Sequence, residues 1–375
     1  MRGGLFNPIT DLQLVIASLP AHYERDIRWA QKSGARTVLQ SPNRLTVNIG
    51  TQGYKLDTLT ELDLNTAASW DSIAINYTVA ASRAGKDFYV YACQAADGPT
   101  PKLLLSANST VPADYTADNS RKIGGFHCLC VAAGTITGHA LTGYLAGDIL
   151  PASVWDLKHR PVSNPEGMVF SENANIWVDI YLQSGTGATT ASLFGATITD
   201  IRNWMDFVDD GGAVKKQMLT DYEFQLIAAG SNEEKNIQGS VDPGTAGGHV
   251  DTVGRRMVSS IGCEDCCGVM YQWLNEQSYR YDGGSHTHNE NTAAAYTQNA
   301  TTGATDPLPA WAWYDLPGAK GSLYMQGSNG DVKLLAGANW LHGASSGSRS
   351  RSAYSYRWNA SSDIGCRFGA RSQGA

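Results

Sequence analysis

The chain has 375 residues and lacks both long apolar runs and a high content of charge. No stretch approaches the roughly 20 consecutive apolar residues that span a bilayer, so membrane insertion is not expected. Charged residues make up 17% of the chain and the formal net charge is −7, which argues against a nucleic-acid partner. The first residues lack the apolar core of a signal peptide, so we expect synthesis in a cytoplasm and mostly reduced thiols.

Sequence motifs of catalysis are also missing. The chain has no nucleophile elbow, no HExxH motif, no P-loop and no dinucleotide-binding glycine motif. Cys263 and Cys266 form a CxxC pair, and the only nearby second ligand pair for zinc would be His286 and His288. One residue separates these histidines, where zinc sites usually have roughly three to five. We therefore predict no enzyme, no metal site and no cofactor.

Glycine, by contrast, is abundant at 40 residues, and hydrophobic residues make up 42% of the chain. Short β-branched or aromatic runs alternate with clusters of Gly, Asp, Asn and Pro, which is typical of short strands joined by tight turns. We predict a mainly β protein with an α+β C-terminal domain. Its expected parts are a β-rich N-terminal region (1–60), a small β-sandwich (61–150) and the C-terminal domain (151–375).

Several elements can be placed from their periodicity. Helices are expected over 11–21 and 24–33, followed by a strand pattern in which Val38, Leu45, Val47 and Ile49 alternate with polar residues. A strand is expected over 174–184. A helix is expected over 197–208, capped at Thr199 or Asp200, with Ile201, Trp204, Met205 and Val208 on its buried face. Thr220 and Glu223 form a capping box for another helix that stops near Gly230.

The segment 334–372 has an unusual composition. It contains no Lys, Glu, Gln or Met, and Ser, Ala, Gly, Tyr, Asn and Arg dominate it. Antibody binding loops use a similar set of residues, because Tyr offers broad contact area and small polar residues adapt. Trp340, Trp358 and Phe368 indicate that the segment packs. Its arginines either form a basic patch or brace the fold by bonding backbone carbonyls.

Four pieces of the sequence resemble, in order, the C-type-lectin-like fold of the formylglycine-generating-enzyme kind. They are LTDYEF (219–224), GVMYQWLNE (268–276), AGANW (336–340) and GCRF (365–368), in which Cys366 departs from the usual pattern. A nearer resemblance is to the variable proteins of diversity-generating retroelements, which include receptor-binding proteins of phage tail fibres. It is carried by SRKIGGFH (120–127), VWDLKHRP (154–161), WVDIYL (177–182), Gly347-Ser348-Arg349 and Gly365, and covers roughly 75–372.

The resemblance implies a protein of the virion that binds a host cell-surface receptor, either protein or glycan, through a diversified lectin-like face. It also implies tail-fibre or baseplate partners and a homotrimer, with residues 1–60 serving oligomerisation or particle attachment. In that family, template adenines are randomised during reverse transcription. The implied variable region is about 334–372, and its candidate ligand-binding residues are Leu341, His342, Ala344, Ser345, Ser346, Ser352, Tyr354, Ser355, Tyr356, Ser361 and Asp363. The implied scaffold of the face is Trp273, Trp340, Arg349, Trp358 and Arg367.

Two alternatives stay open. One is a diversified ligand-binding protein displayed on a bacterial surface. The other is an oxidase of the formylglycine-generating kind, for which Cys263, Cys266, Cys267 and Cys366 are the only candidate cysteines. Whether these cysteines pair or bind metal stays open as well.

Overall fold

The computed structural model describes residues 28–41, 45–56, 58–72, 75–95, 100–280, 289–291, 320–321, 323–325 and 330–373. The helix expected over 11–21 and the histidine pair His286 and His288 lie outside these ranges. No helix among the described residues is long and apolar enough to cross a bilayer.

The N-terminal part consists of short antiparallel strands: β1 (Ala30–Gln31), β2 (Val38–Gln40), β3 (Leu45–Ile49), β4 (Gln52–Leu56) and β5 (Glu61–Asp63). β3 and β4 form a hairpin whose alternate residues Leu45, Val47 and Ile49 are buried, so the expected strand pattern is confirmed. The helix expected over 24–33 is wrong in its described part. Residues 30–31 pair with β2 instead, because strand pairing overrides a weak local helix preference.

The middle part contains a four-stranded sheet. The sheet consists of β6 (Asp87–Cys93), β7 (Lys102–Ser106), β8 (Ser120–His127) and β9 (Trp155–Asp156), in the order β7-β6-β8-β9. The short helix α1 (Ala80–Arg83) precedes it. Leu39 and Leu64 from the N-terminal part pack in one core cluster with Phe88 and Val90 of β6. The two parts therefore share a core, and the division at residues 60 and 150 stays a prediction.

In the C-terminal part, the described residues form two larger sheets and two helices. Its elements are β10 (Met168–Ser171), β11 (Ile176–Asp179), β12 (Gln183–Ser184), β13 (Ala191–Ser192), α2 (Trp204–Ala213), β14 (Gln217–Met218), α3 (Asp221–Ile227), β15 (Tyr271–Arg280), β16 (Asn289–Asn291), β17 (Leu323–Met325), β18 (Gly330–Ala336), β19 (Arg351–Ser352), β20 (Ile364–Gly365) and β21 (Phe368–Ala370). One sheet has the order β10-β11-β21-β14, and the other has β16-β17-β19-β18-β15-β20.

The two helices show how local capping decides where a helix begins. α3 starts after Thr220, whose side chain accepts from the amide of Glu223, so the predicted capping box is confirmed. α2 starts after Asn203, not after Thr199 or Asp200, because Asn203 and Asp206 form a capping box of their own. The predicted buried face of this helix is also wrong.

Ile201, Met205 and Val208 are exposed, whereas Phe207 and Asp210 of α2 are buried. The strand expected over 174–184 is shorter than predicted, since β11 ends at Asp179. Its four apolar residues, Ile176, Val178, Ile180 and Leu182, are all buried.

A buried arginine joins the N-terminal and middle parts. The guanidinium of Arg83, at the end of α1, donates to the carbonyls of Tyr77 at 2.7 Å, Thr78 at 2.9 Å, Gly147 at 3.1 Å and Leu64 at 3.2 Å. One side chain thus donates to four backbone acceptors from three separate segments, of which the Leu64 carbonyl also accepts from the Trp70 indole at 2.9 Å. A buried carbonyl without a partner costs free energy, so this residue stabilises the whole arrangement.

We expect Arg83→Met to lower the free energy of unfolding by more than about 3 kcal/mol, because several buried carbonyls lose their donor at once. Urea unfolding followed by tryptophan fluorescence measures the change. Arg121→Met is the matched control: Arg121 is exposed and donates one bond, to the carbonyl of Asn48 at 3.1 Å. Equal effects of the two substitutions would contradict this role of Arg83.

Candidate functional site

Two loops of the segment 334–372 meet at one end of the six-stranded sheet. The first, 337–350, connects β18 to β19, and the second, 353–363, connects β19 to β20. β18 runs antiparallel to both β19 and β15, and β20 runs parallel to β15, so the end of β18 and the start of β20 share an edge. A hydrogen bond from the Asn339 amide to the Asp363 carboxylate at 2.6 Å joins the loops there.

We call the exposed and half-buried side chains of these two loops the candidate face. Leu341, at 68% exposed, Ala344 and Tyr354 are its most accessible predicted ligand-binding residues. His342, Ser345, Tyr356, Ser361 and Asp363 are half-buried. The face is thus built mainly from aromatic rings, hydroxyls and small apolar groups.

Two aromatic contacts order the rings of the face. The His342 ring meets the Tyr271 ring edge-on, with centroids 5.2 Å apart. Tyr356 and Trp358 stack in parallel at 5.1 Å. Trp358, predicted as scaffold of the face, is 60% exposed, so its side chain is part of the candidate face.

Three predicted ligand-binding serines are not at the surface. Ser346, Ser352 and Ser355 are buried, which corrects their assignment. Ser352 lies in β19, a strand paired on both sides by β17 and β18. The carbonyls of Ser346 and Ser355 accept from the amides of Glu234 and Lys333, so both residues hold the loop backbone against the domain.

The other predicted scaffold residues are less accessible than Trp358. Trp273, Arg349 and Arg367 are buried and Trp340 is half-buried. The Trp340 carbonyl accepts from the amide side chain of Asn236.

Arg367 has the most hydrogen-bond partners of these. Its guanidinium donates to the carbonyls of Asp179 at 2.6 Å, Ile180 and Glu264, and to the side chain of Gln272 at 3.2 Å. The buried arginines therefore brace backbone segments, which favours that interpretation over a basic patch.

Arg351 braces the first loop directly. It donates to the carbonyls of Ser348 at 2.9 Å and Ser350 at 2.8 Å, binds Asp221 of α3, and lies 5.1 Å from the ring centre of Phe224. The loop's own backbone acceptors are thus satisfied by a buried cation that is in turn neutralised by a helix carboxylate. The backbone of the first loop is thus fixed from below.

A glutamate that no sequence pattern pointed to completes this support. The Glu233 carboxylate accepts from the Lys320 amide at 3.0 Å, the Ser348 amide at 3.2 Å and the Ser348 hydroxyl at 2.7 Å. Burial of the carboxylate raises the pKa of Glu233 to about 8, and these hydrogen bonds oppose the shift. The partners lie 87 and 115 residues away along the chain, which is why only the fold reveals them.

The cysteines lie in the interior. Cys263, Cys266, Cys267 and Cys366 are buried free thiols, and burial raises the pKa of Cys267 and Cys366 well above the usual thiol value. Across the residues that the structure describes, no group of three or more His, Cys, Asp or Glu side chains is placed to hold a metal ion. This arrangement offers neither an accessible nucleophile nor a ligand set.

We expect the free energy of unfolding to depend on pH through Glu233. A raised pKa means that the folded chain holds the Glu233 proton more tightly, so this stabilisation is complete below about pH 4.5 and is lost as the pH rises towards 8. Glu233→Gln should flatten the dependence in that window by up to about 1.4 kcal/mol per pH unit. Glu172→Gln, a change at an exposed glutamate, is the control, and an unchanged slope in Glu233→Gln would refute the assignment.

Comparison with known proteins gives consistent results. Residues 37–156 match the family model described as the Mtd second domain. The chain is 28% identical over 274 residues to the tail fiber receptor-binding protein of Bordetella phage BPP-1, over 67% of this chain and 69% of that protein.

Among solved structures, the Major Tropism Determinant U1 variant has a TM-score of 0.67 and 21% identity, and the match covers 96% of this chain and 87% of that one. The P3c variant has a TM-score of 0.66 and 22% identity, over 96% and 86% of the two chains. The predicted mainly β architecture with a C-type-lectin-like C-terminal part is confirmed. In sequence and in fold, this chain is similar to the tropism determinants.

Proposed function

We propose that this chain is a receptor-binding protein of a phage tail fibre, and that it attaches the particle to a ligand on the host cell surface through the candidate face. The observation that carries this proposal is the separation of roles in the two loops. Buried groups such as Arg351 and Glu233 hold the backbone, while Leu341 and Tyr354 project outward. The name of the Bordetella phage BPP-1 relative, a tail fiber receptor-binding protein, supports the same role.

The chemistry of the face suits binding. Exposed Tyr and Trp rings bury large areas at low entropy cost, and neighbouring serines can form adaptable hydrogen bonds. The carboxylate of Asp363 accepts from Asn339 and Ser361, so both of its oxygens already have a hydrogen-bond donor within the face. Attachment, with no chemical step, is the function that these groups support.

The proposal includes assembly. A homotrimer joined to tail-fibre or baseplate proteins, with residues 1–60 serving oligomerisation or attachment, would present several faces per particle in the virion. Several weak contacts made together give strong adhesion, since each later contact forms at a high effective concentration. The particle would then need only modest affinity from each face.

Diversification would act on the surface set of the candidate face. Removing the three buried serines leaves Leu341, His342, Ala344, Ser345, Tyr354, Tyr356, Ser361 and Asp363 as the proposed variable positions. Changes there alter contacts with a ligand and leave Arg351 and Glu233 in place, although a change at Asp363 also removes its bond to Asn339.

The alternatives are less well supported. An oxidase would need an accessible cysteine, and Cys263, Cys266, Cys267 and Cys366 are all buried. A surface-displayed bacterial protein would use the same face, and genes for tail components beside this one would distinguish the phage protein from it.

We expect the DNA downstream of the gene to contain a near-copy of the region that encodes 334–372. The copy should differ only where it carries adenine, and the differing codons should fall on the eight surface positions. Sequencing that DNA is the measurement. Differences concentrated on Ser346, Ser352 and Ser355 would show that burial does not decide which positions vary.

We expect the triple substitution His342→Ala, Tyr354→Ala and Tyr356→Ala to abolish attachment while the chain still folds. These rings are exposed or half-buried, so their removal should shift the melting temperature by only a few degrees. Flow cytometry of host cells with the labelled chain measures attachment, and circular dichroism measures folding.

The control for that triple substitution is Leu145→Ala, an exposed apolar residue of the middle part, which should bind host cells like the wild type. Unfolding of the triple variant would place its side chains in the core. Full attachment by a folded triple variant would remove the candidate face from the function.

A further inference from the structure

Four aliphatic side chains are exposed around the start of α2. They are Ile201, Met205, Val208 and Val241, which we call the apolar shoulder. The Ile198 amide donates to the Gly244 carbonyl at 3.1 Å, so the loop that carries Val241 runs beside the chain that leads into α2. Single exposed aliphatic residues are ordinary, but a group of them on one surface marks an interaction site more often.

Ile201 is strained as well as exposed. Its φ is 50°, in the left-handed region, which costs a β-branched residue on the order of 1–3 kcal/mol. Burial of the side chain could offset that cost, but Ile201 is 65% exposed. Folding therefore gives no reason for an isoleucine at this position, and strain of this kind concentrates at functional sites.

The shoulder is continuous with the candidate face. The amide of Ile201 donates to the Ser361 carbonyl at 3.2 Å, and the amide of Trp204 donates to the Arg357 carbonyl at 2.9 Å. Both acceptors belong to the second loop of the face, on either side of Trp358. A ligand that covers Trp358 is thus within reach of Ile201.

An acidic pair borders the shoulder. Asp200 precedes Ile201, and Asp242 follows Val241 in the adjacent loop. Burial and the nearby Asp242 carboxylate raise the pKa of Asp200, which is the expected effect of two like charges held close together. The guanidinium of Arg202 is bound to Asp210 by two hydrogen bonds of 3.0 Å. A partner that complements both the acidic pair and the shoulder would present a cation next to apolar groups.

We propose that the apolar shoulder is a second, unvarying contact for the receptor, and that the receptor is a protein presenting apolar side chains beside a Lys or Arg. This inference rests on the proposed function. Burial of aliphatic groups against apolar protein side chains contributes favourable binding free energy, whereas a glycan offers mainly hydroxyls that need hydrogen-bond partners. The acidic pair complements a basic side chain and has no counterpart in an uncharged glycan.

The location of the shoulder gives it a distinct role. All four residues lie outside 334–372, so diversification of that segment leaves them unchanged. Each version of the face would keep the same affinity for one class of protein surface, while the loops select among its members.

The test uses the labelled full-length chain and intact cells of the host bacterium. Ile201→Asn removes the apolar group and puts a residue that tolerates the left-handed conformation in its place, so the variant should be as stable as the wild type or more so. We expect cell binding to weaken at least about tenfold. Leu145→Asn is the matched control, since Leu145 is 61% exposed and distant in sequence from both surfaces, and it should bind normally.

Further treatments identify the partner. The double substitution Asp200→Asn with Asp242→Asn should also weaken binding, with a larger loss at low salt than at high salt. Protease treatment of the cells should abolish binding and periodate treatment should not. The opposite pattern would identify a glycan and overturn the inference.

Two outcomes separate this inference from the proposed function. If Ile201→Asn binds like the wild type while the triple substitution in the face does not bind, the shoulder is not a contact and the proposed function stands. If the wild-type chain binds no host cells, both fail. Light scattering tests whether another copy of the chain binds the shoulder instead. If Ile201→Asn changes the molecular mass of the protein in solution, the shoulder is a contact between copies and the inference is overturned.

Discussion

The C-terminal part of the molecule depends on the buried guanidinium of Arg367. This residue lies between β20, in the six-stranded sheet, and β21, in the four-stranded sheet. Its hydrogen bonds reach the chain just after β11 and the carbonyl of Glu264, so one side chain fixes both sheets and a long loop. A buried cation is costly without partners, and here every bond it makes also satisfies a backbone or amide acceptor.

That construction leaves the face free to vary. Arg351 and Glu233 satisfy the loop backbone from below, and Ser346, Ser352 and Ser355 pack inward. The stability of the domain and the chemistry of its surface are therefore carried by different residues of the same segment. Mutations at well-separated positions usually have additive effects, so a change at the exposed Leu341 has little effect on the support.

The sequence predicted what local rules decide. The capping box at Thr220 and the alternation of Leu45, Val47 and Ile49 act within a few residues, and both were confirmed. The start of α2 was misplaced because Thr199 and Asp200 are also good caps, and the competing box at Asn203 is equally short-range. Because its start was misplaced, the buried residues of α2 were also predicted wrongly.

The face was predicted in outline and not in detail. Composition and resemblance located the segment 334–372, but neither carries information on which serines point inward. Burial there depends on the pairing of β19 with β17 and β18, which is a property of the assembled sheet and not of the local sequence. Glu233 was missed for the same reason, since its partners come from distant loops. Trp358 was assigned to the scaffold from the resemblance, which carries no information on its exposure, and the fold places it at the surface.

The position of β21 makes folding of the C-terminal part depend on an intact loop segment. The chain passes through both loops of the face before it reaches Arg367 and β21, which inserts between β11 and β14 to complete the four-stranded sheet. A chain that stops or shifts frame within the loops loses that strand and cannot close its core. Only chains that have been translated through both loops can therefore form the complete four-stranded sheet that supports the candidate face.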